Sequence, residues 1–239
     1  MINSMNAQYE MLTWDTEFFG YPVAKINGGC LSDEELEFCL LNLNTKAKLV
    51  YYSSEKPLES DRILHEFNGL LVDKKTTFVK ENPRPATLNP AIVEYNADMP
   101  LNELIDLSQA SGVYSRYRID PRIENEKCDD LYKQWILNAI QHQLADRVLV
   151  YQIGQKLAGL ITLGTKNNRA DIGIVAVQAR ERGKGIGKAL LSAADVFSKE
   201  KMLTAIQVVT QGANLPACAL YHSAGYEVRK VEYFYHFCL

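Results

Sequence analysis

The stretch Gly173-Ile-Val-Ala-Val-Gln-Ala-Arg-Glu-Arg-Gly-Lys-Gly-Ile-Gly-Lys-Ala-Leu-Leu191 decides how this chain is read. An apolar strand leads into a short basic turn rich in glycine, and the turn opens into an apolar helix. Glycine has no Cβ, so the backbone N–H groups at Gly183, Gly185 and Gly187 can converge on one anion. The positive end of the helix adds to the attraction, and Arg182, Lys184 and Lys188 supply whole charges. A diphosphate suits that arrangement. Glycine spacing alone describes equally well a tight strand-to-helix connection with a solvated basic face.

The surroundings narrow the choice. Lys188 follows Gly187 without the G-x-x-x-x-G-K-[ST] spacing of a nucleotide-hydrolysing loop. A dinucleotide fold is a poor match too, because the run follows a meander and no acidic residue closes the next strand. The meander is three expected strands at 147–153, 157–165 and 170–177, joined at Gly154-Gln155 and Asn167-Asn168 as antiparallel hairpins require. Downstream, the pattern predicts helix from 185 to about 199, strand 204–210, helix 215–223 and a last β segment 226–237.

Upstream, 91–96 reads as extended, and Leu101, Leu104, Ile105 and Leu107 share one helical face. The polar, aromatic segment Tyr114-Ser-Arg-Tyr-Arg118 does not read as core. Residues 128–144 form a long amphipathic helix expected to lie across a sheet. Residues 1–82 read as a small α/β lobe of βαβαβ order, with strands at 21–26, 49–53 and 70–80 and helices opening at Ser32, through a capping-box pattern, and at 60–67. Trp14, Phe18 and Phe19 are assigned to the core of this lobe. Three prolines between 81 and 90 disfavour helix, so 83–90 is taken as a linker and 91–239 as the second domain.

Composition sets the outer limits. The chain has 239 residues, 47% apolar and 23% charged, with a formal charge of −3 and no sequence-wide basic field for nucleic acid. No apolar run reaches the roughly 18 residues of a membrane span, and the polar start lacks a signal-peptide core, so a cytoplasmic location is expected. The five cysteines (30, 39, 128, 218, 238) show no C-x-x-C pair and are expected to be reduced thiols. The four histidines (65, 142, 222, 236) show no metal-ligand spacing, and no metal is expected.

With these residues in hand the chain resembles the GNAT superfamily of acetyl-CoA-dependent N-acetyltransferases. Arg182 to Gly187 fits that family's R-x-x-G-x-G/A pyrophosphate signature, and Asn214-Leu-Pro-Ala-Cys-Ala-Leu-Tyr-His-Ser-Ala-Gly-Tyr226 fits its second signature. The resemblance implies the GNAT α/β (α+β) fold, a mixed and mostly antiparallel sheet splayed where the cofactor binds. It implies acetyl-CoA as donor, held by Val175, Ala176 and Val177, by Arg182, Gly183, Lys184, Gly185, Ile186, Gly187 and Lys188, and by Asn214. It also places Tyr221 as the general acid that protonates the departing thiolate, a task for which a phenol within hydrogen-bond reach is suited. The alternative role for Tyr221 is ring packing on the sheet. Asp171 is one candidate base for the attacking amine, and a solvated carboxylate at a hairpin end is the other reading of it.

The segment 114–118, together with Tyr132-Lys-Gln-Trp-Ile136 and Trp14-Asp-Thr-Glu-Phe-Phe-Gly20, resembles the dTDP-fucosamine acetyltransferase branch. That implies an acceptor amine on a dTDP-4-amino-4,6-dideoxyhexose. Arg116 and Arg118 would then bind a diphosphate, and Tyr114 and Tyr117 would face a sugar or thymine ring. An exposed basic loop is the other reading of this segment. Two further functions stay open, acylation of a protein, polyamine or amino-acid amine, and a non-catalytic CoA-binding module. A homodimer through the last strand is a family-level expectation.

Overall fold

The computed structural model describes residues 8–83 and 86–239. Part of the polar start (1–7) and part of the linker (84 and 85) lie outside the described residues. The chain forms two compact units. The first comprises residues up to Lys75 with Ile119–Arg122 and Val231–Leu239, and the second comprises Thr76–Arg118 with Ile123–Lys230.

In the first unit the strands are β1 (Tyr9–Met11), β2 (Val23–Ile26), β3 (Leu49–Ser54), the start of β4 (Gly69–Glu81) and the end of β10 (Glu227–Cys238), in the order β1-β2-β3-β10-β4. The chain's last residues join this unit because β10 pairs antiparallel with β3, from Tyr233↔Ser54 to Cys238↔Leu49. Strands β2 and β3 are parallel, and α2 (Asp33–Leu43) makes the crossover. That helix starts where the sequence predicts. Ser32 Oγ accepts from the Glu35 N–H, and the Glu35 carboxylate accepts from the Ser32 N–H. Leu36, Cys39, Leu40 and Leu43 recur at helical spacing and are buried against Ala24, Val50, Tyr52 and Phe237.

Two elements here escape the sequence pattern, β1 and α1 (Thr13–Phe19). A three-residue strand and a seven-residue helix are too short to show a period. The helix is closed by Gly20, whose φ of 76° allows its N–H to bond the Thr16 carbonyl. Of the three aromatics assigned to the core, only Phe19 is buried. Trp14 remains 45% exposed and stacks on Phe18 at 5.2 Å. Ionisable groups occupy part of the interior instead. Asp120 and His236 are both inaccessible, with Nδ1 of His236 2.8 Å from the carboxylate and Arg122 donating to both carboxylate oxygens at 2.7 and 2.8 Å.

In the second unit the order is β4-β9-β8-β7-β6-β5, where β5 is Ile92–Glu94, β6 Arg147–Ile153, β7 Lys156–Lys166, β8 Arg169–Val177 and β9 Ala205–Gln211. The strands β5 to β8 form an antiparallel meander. Asn167 and Asn168 both have positive φ (51° and 58°), the conformation of the two-residue turn their sequence announces. Strands β8 and β9 are parallel, with α7 (Ile186–Glu200) as the crossover. Leu190, Leu191, Ala194 and Phe197 of α7 pack on Ile161, Leu163, Ile172 and Ile206. On the other face α4 (Leu101–Ser111) and α6 (Asn125–Ile140) bring Leu104, Leu107, Ile136 and Ala139 to Val148, Val150, Leu160 and Ile174. The sheet is therefore mixed and mostly antiparallel, covered on both faces.

Candidate active site

The site begins with a defect in the sheet. Between β7 and β8 the register passes from Leu163↔Ile172 to Ile161↔Val175, so β8 carries one extra residue at Gly173–Ile174. Such a bulge bends its strand. Thr162 Oγ1 accepts from the Ile174 N–H at 2.8 Å and supplies the bond the bulge removes. Pairing of β8 with β9 covers Ala170↔Ile206, Asp171↔Gln207 and Ile172↔Val208 and stops at the same point. Beyond Ile172 the two parallel strands part, and one edge of Gly173–Val177 faces the resulting wedge. Backbone groups there can bond the amides of an elongated ligand. Val175 and Val177 pack toward α7, whereas Ala176 turns to the α4–α6 face.

Each parted strand runs into a helix whose N-terminus lies at the carboxyl end of the strand, the usual ligand position in open α/β sheets. After β8 come a 3-10 turn, Ala179–Glu181, and the glycine run. Gly183 and Gly185 have φ of 78° and 82°, and Gly185 is the N-cap of α7 with no side-chain cap. The first backbone bond of α7 is from the Ala189 N–H to the Gly185 carbonyl, so the N–H groups of Ile186, Gly187 and Lys188 precede the ladder. They carry the positive end of the helix dipole. Gly187 serves packing, because a Cβ there would stand 3.0 Å from Leu220 Cδ2. The Ile186 side chain is buried, which leaves its backbone for a ligand. Arg182 folds back to donate to the Val177 carbonyl at 3.2 Å, Lys184 pairs with Glu181 at 2.9 Å, and Lys188 is exposed on the first turn.

After β9 comes α8 (Leu215–Ser223). Asn214 caps it, its Oδ1 accepting from the Ala217 N–H at 3.2 Å, and proline occupies the first turn. Tyr221 is 3% exposed, with its ring 5.4 Å from that of Phe78 and 6.0 Å from that of Tyr226. Burial pushes the phenol well above the usual tyrosine range, so it stays protonated at ordinary pH, as a proton donor must. Asp171 accepts from Gln207 Nε2 at 2.7 Å, within the paired part of β8 and β9.

The segment 114–118 is more buried than its polarity suggests. Tyr114 ends a 3-10 turn, and α5 (Arg116–Ile119) follows. Ser115 and Tyr117 are buried, a correction to the expectation that this stretch stays outside the core. Arg116 donates to the Tyr117 hydroxyl and lies 4.6 Å from the centre of that ring. Arg118 pairs with Asp129 of α6 and donates to the Asn125 carbonyl. Burial of Tyr132, whose ring faces Gly112, pushes its phenol up to about 12.

Thus the parted end of β8, the glycine run and Asn214 lie around the carboxyl ends of two parting parallel strands, and Tyr221 lies on the helix that Asn214 caps. Sequence reasoning missed the residues that enclose Tyr221. Phe78 shares one face of β4 with Lys80, which pairs at 2.7 Å with Asp195 of α7. Tyr226 was visible in the Gly-Tyr pair of the second signature. Asp129, the partner of Arg118, shows no local pattern.

A family model described as the acetyltransferase (GNAT) family matches residues 106–226, half of the chain. Streptothricin acetyltransferase of Escherichia coli is 35% identical over 83 residues, which cover 34% of this chain and 48% of that protein. The spore coat polysaccharide biosynthesis protein SpsD of Bacillus subtilis (strain 168) is 23% identical over 133 residues, 56% of this chain and 46% of that protein. The chain thus spans about half the length of these curated relatives. A functionally unknown conserved protein from Staphylococcus epidermidis ATCC 12228 superposes with a TM-score of 0.67 over 99% of this chain and 92% of that one, at 14% identity, which shows a shared fold.

Proposed function

The chain belongs to the acetyltransferase (GNAT) family, and from that premise we propose that it is an N-acetyltransferase that moves acetyl from acetyl-CoA to the amine of a nucleotide-linked amino sugar. The observation that carries the transfer reading is the wedge between β8 and β9, with two helices starting at its open end, the second of which carries a buried phenol. The residues suit the donor. The N–H groups from Gly183 to Lys188 hold its diphosphate, with Arg182 and Lys184 as counter-charges. The backbone of Val175, Ala176 and Val177 bonds its amide arm on one side, and Asn214 does so on the other. A β8 N–H directed at the thioester oxygen stabilises charge gathering there. Tyr221 gives its proton to the departing sulfur. The acceptor amine attacks directly, in its neutral form, with both substrates bound.

For the acceptor, the dTDP-4-amino-4,6-dideoxyhexose class is supported by the resemblance carried by 14–20, 114–118 and 132–136. Similarity to a protein of polysaccharide biosynthesis supports it further. Arg118, held by Asp129, and Arg116, braced on Tyr117, would take the acceptor diphosphate, with Tyr114 and Tyr117 beside the sugar or base. On this reading the protein works in the cytoplasm on small molecules, as a monomer or a homodimer. A second reading, an amine outside the nucleotide sugars, is favoured by the similarity to streptothricin acetyltransferase.

An acceptor panel read by free-thiol release separates the two. Turnover with the dTDP-amino sugar at far higher kcat/KM than with streptothricin, peptides or polyamines is expected, and the reverse order would overturn the acceptor assignment. For the acid, Tyr221→Phe should lower kcat by about 10²-fold or more with acetyl-CoA affinity nearly unchanged. Unchanged turnover would remove Tyr221 from that role.

A further inference from the structure

Tyr226 poses a physical question that the transfer scheme leaves unused. It is 1% exposed, and its hydroxyl is buried without a hydrogen-bond partner among the described residues. Buried polar atoms are nearly always paired, and an orphaned one lowers the stability of the fold. Phenylalanine would fill the same space with no such loss. The hydroxyl is therefore idle in the resting protein.

Its neighbours indicate when it could act. On one side is the Tyr221 ring, 6.0 Å away between centres. On the other is a charge pair with little access to water, Lys80 and Asp195, 2.7 Å apart, with the Lys80 ammonium 5.6 Å from the centre of the Tyr226 ring. A buried ion pair is weak support for stability, since apolar residues of equal volume often serve as well. The groups meet from three elements, Lys80 and Phe78 from β4, Asp195 from α7, and Tyr221 with Cys218 from α8. Among them Tyr221 is the group to which the proposed transfer assigns a change of charge.

We propose that Tyr226 is a positioning residue for the transfer, its buried hydroxyl donating a hydrogen bond to the Tyr221 oxygen as negative charge gathers there, while Lys80 cancels the opposing charge of Asp195. This rests on Tyr221 being the acid. In that step the C–S bond breaks with its electron pair on sulfur, the Tyr221 proton goes to that sulfur, and the electron pair of the O–H bond remains on the phenol oxygen until the proton shed by the acylated amine restores it. Tyr226 keeps its own proton throughout. A donor without an acceptor in the ground state, satisfied only as charge develops, lowers the barrier without tightening substrate binding.

The test is a double-mutant cycle on Tyr221 and Tyr226, with kcat and the KM for acetyl-CoA measured together and folding checked by thermal melting. Tyr226→Phe should melt no lower than the parent, leave KM unchanged and lower kcat about tenfold, the equivalent of one hydrogen bond to a charged group. In a Tyr221→Phe background the same change should leave kcat where it was, because no charge forms at position 221. A parental kcat for Tyr226→Phe overturns the inference, as does an equal loss in both backgrounds. Full turnover by Tyr221→Phe alone would instead refute the acid assignment, a separate and visible result.

Discussion

Thr162 and Ile174 lie on neighbouring strands, and the 2.8 Å bond from the Ile174 N–H to Thr162 Oγ1 stands where β8 takes its extra residue and parts from β9. Both groups are buried, so removing the acceptor leaves a donor unpaired. Thr162→Val should destabilise the fold by about 1–3 kcal/mol and weaken acetyl-CoA binding, while Thr162→Ser keeps both. Urea unfolding and titration calorimetry measure the two effects. Equal stability of Thr162→Val and the parent would show that the bulge does not depend on this bond.

The glycine run makes a second, sharper prediction because its members do different things. Gly183 and Gly185 have open space around an added Cβ, so alanine there meets only backbone strain at positive φ. Each change should disfavour the resting loop by about 1–2 kcal/mol, which corresponds to roughly a 5–30-fold loss of acetyl-CoA affinity. Gly187→Ala presses on the Leu220 side chain and should affect stability more than affinity. Equal affinity losses at all three positions would contradict this division.

The Asp120 carboxylate links acid stability to the first unit. Burial alone would raise it, but the hydrogen bonds from His236 and Arg122 overcome burial and hold it well below the usual carboxylate range. A depressed carboxyl stabilises the fold fully above its unfolded value of about 4 and loses that contribution as pH falls through the folded value. The urea midpoint should therefore fall below about pH 4, and Asp120→Asn should flatten that limb. The variant should also lose about 3–5 kcal/mol at pH 7, because it leaves Arg122 without its charge partner.

At the alkaline end the tyrosines set the slope. Burial raises Tyr132 to about 12 and raises Tyr221 and Tyr226 as well. A group raised in the folded state stabilises it fully below the unfolded value, near 10 for tyrosine, and loses that contribution as pH rises toward the folded value. Stability should decline from about pH 10 upward, and Tyr226→Phe should reduce the slope by about one proton. Denaturant titrations at several alkaline pH values with far-UV dichroism detect this, and an unchanged slope would place Tyr226 in a wetter setting.

Much of the fold was legible because its signals are local. The Ser32 capping box, the two-residue turn at Asn167-Asn168 and the apolar faces of α2 and α7 each lie within a few residues of chain. The glycine-rich start of α7 was legible too, since a glycine run before an apolar period marks where a helix opens. Pairings between distant segments were not. Nothing near Arg118 announces Asp129, nothing near Lys80 announces Asp195, and the polarity of 114–118 concealed the burial of Tyr117.

By itself the sequence determined the order of the longer elements, the glycine-rich turn between β8 and α7, and the phenol on α8, because hydrophobic period, backbone freedom and side-chain chemistry are written residue by residue. Only the tertiary structure decided that β8 and β9 part after Ile172 and that Tyr221 is enclosed by Phe78 and Tyr226. It alone decided, too, that the last strand pairs with β3. Register and burial depend on which surfaces meet when the chain closes on itself, and no short window of sequence contains both surfaces.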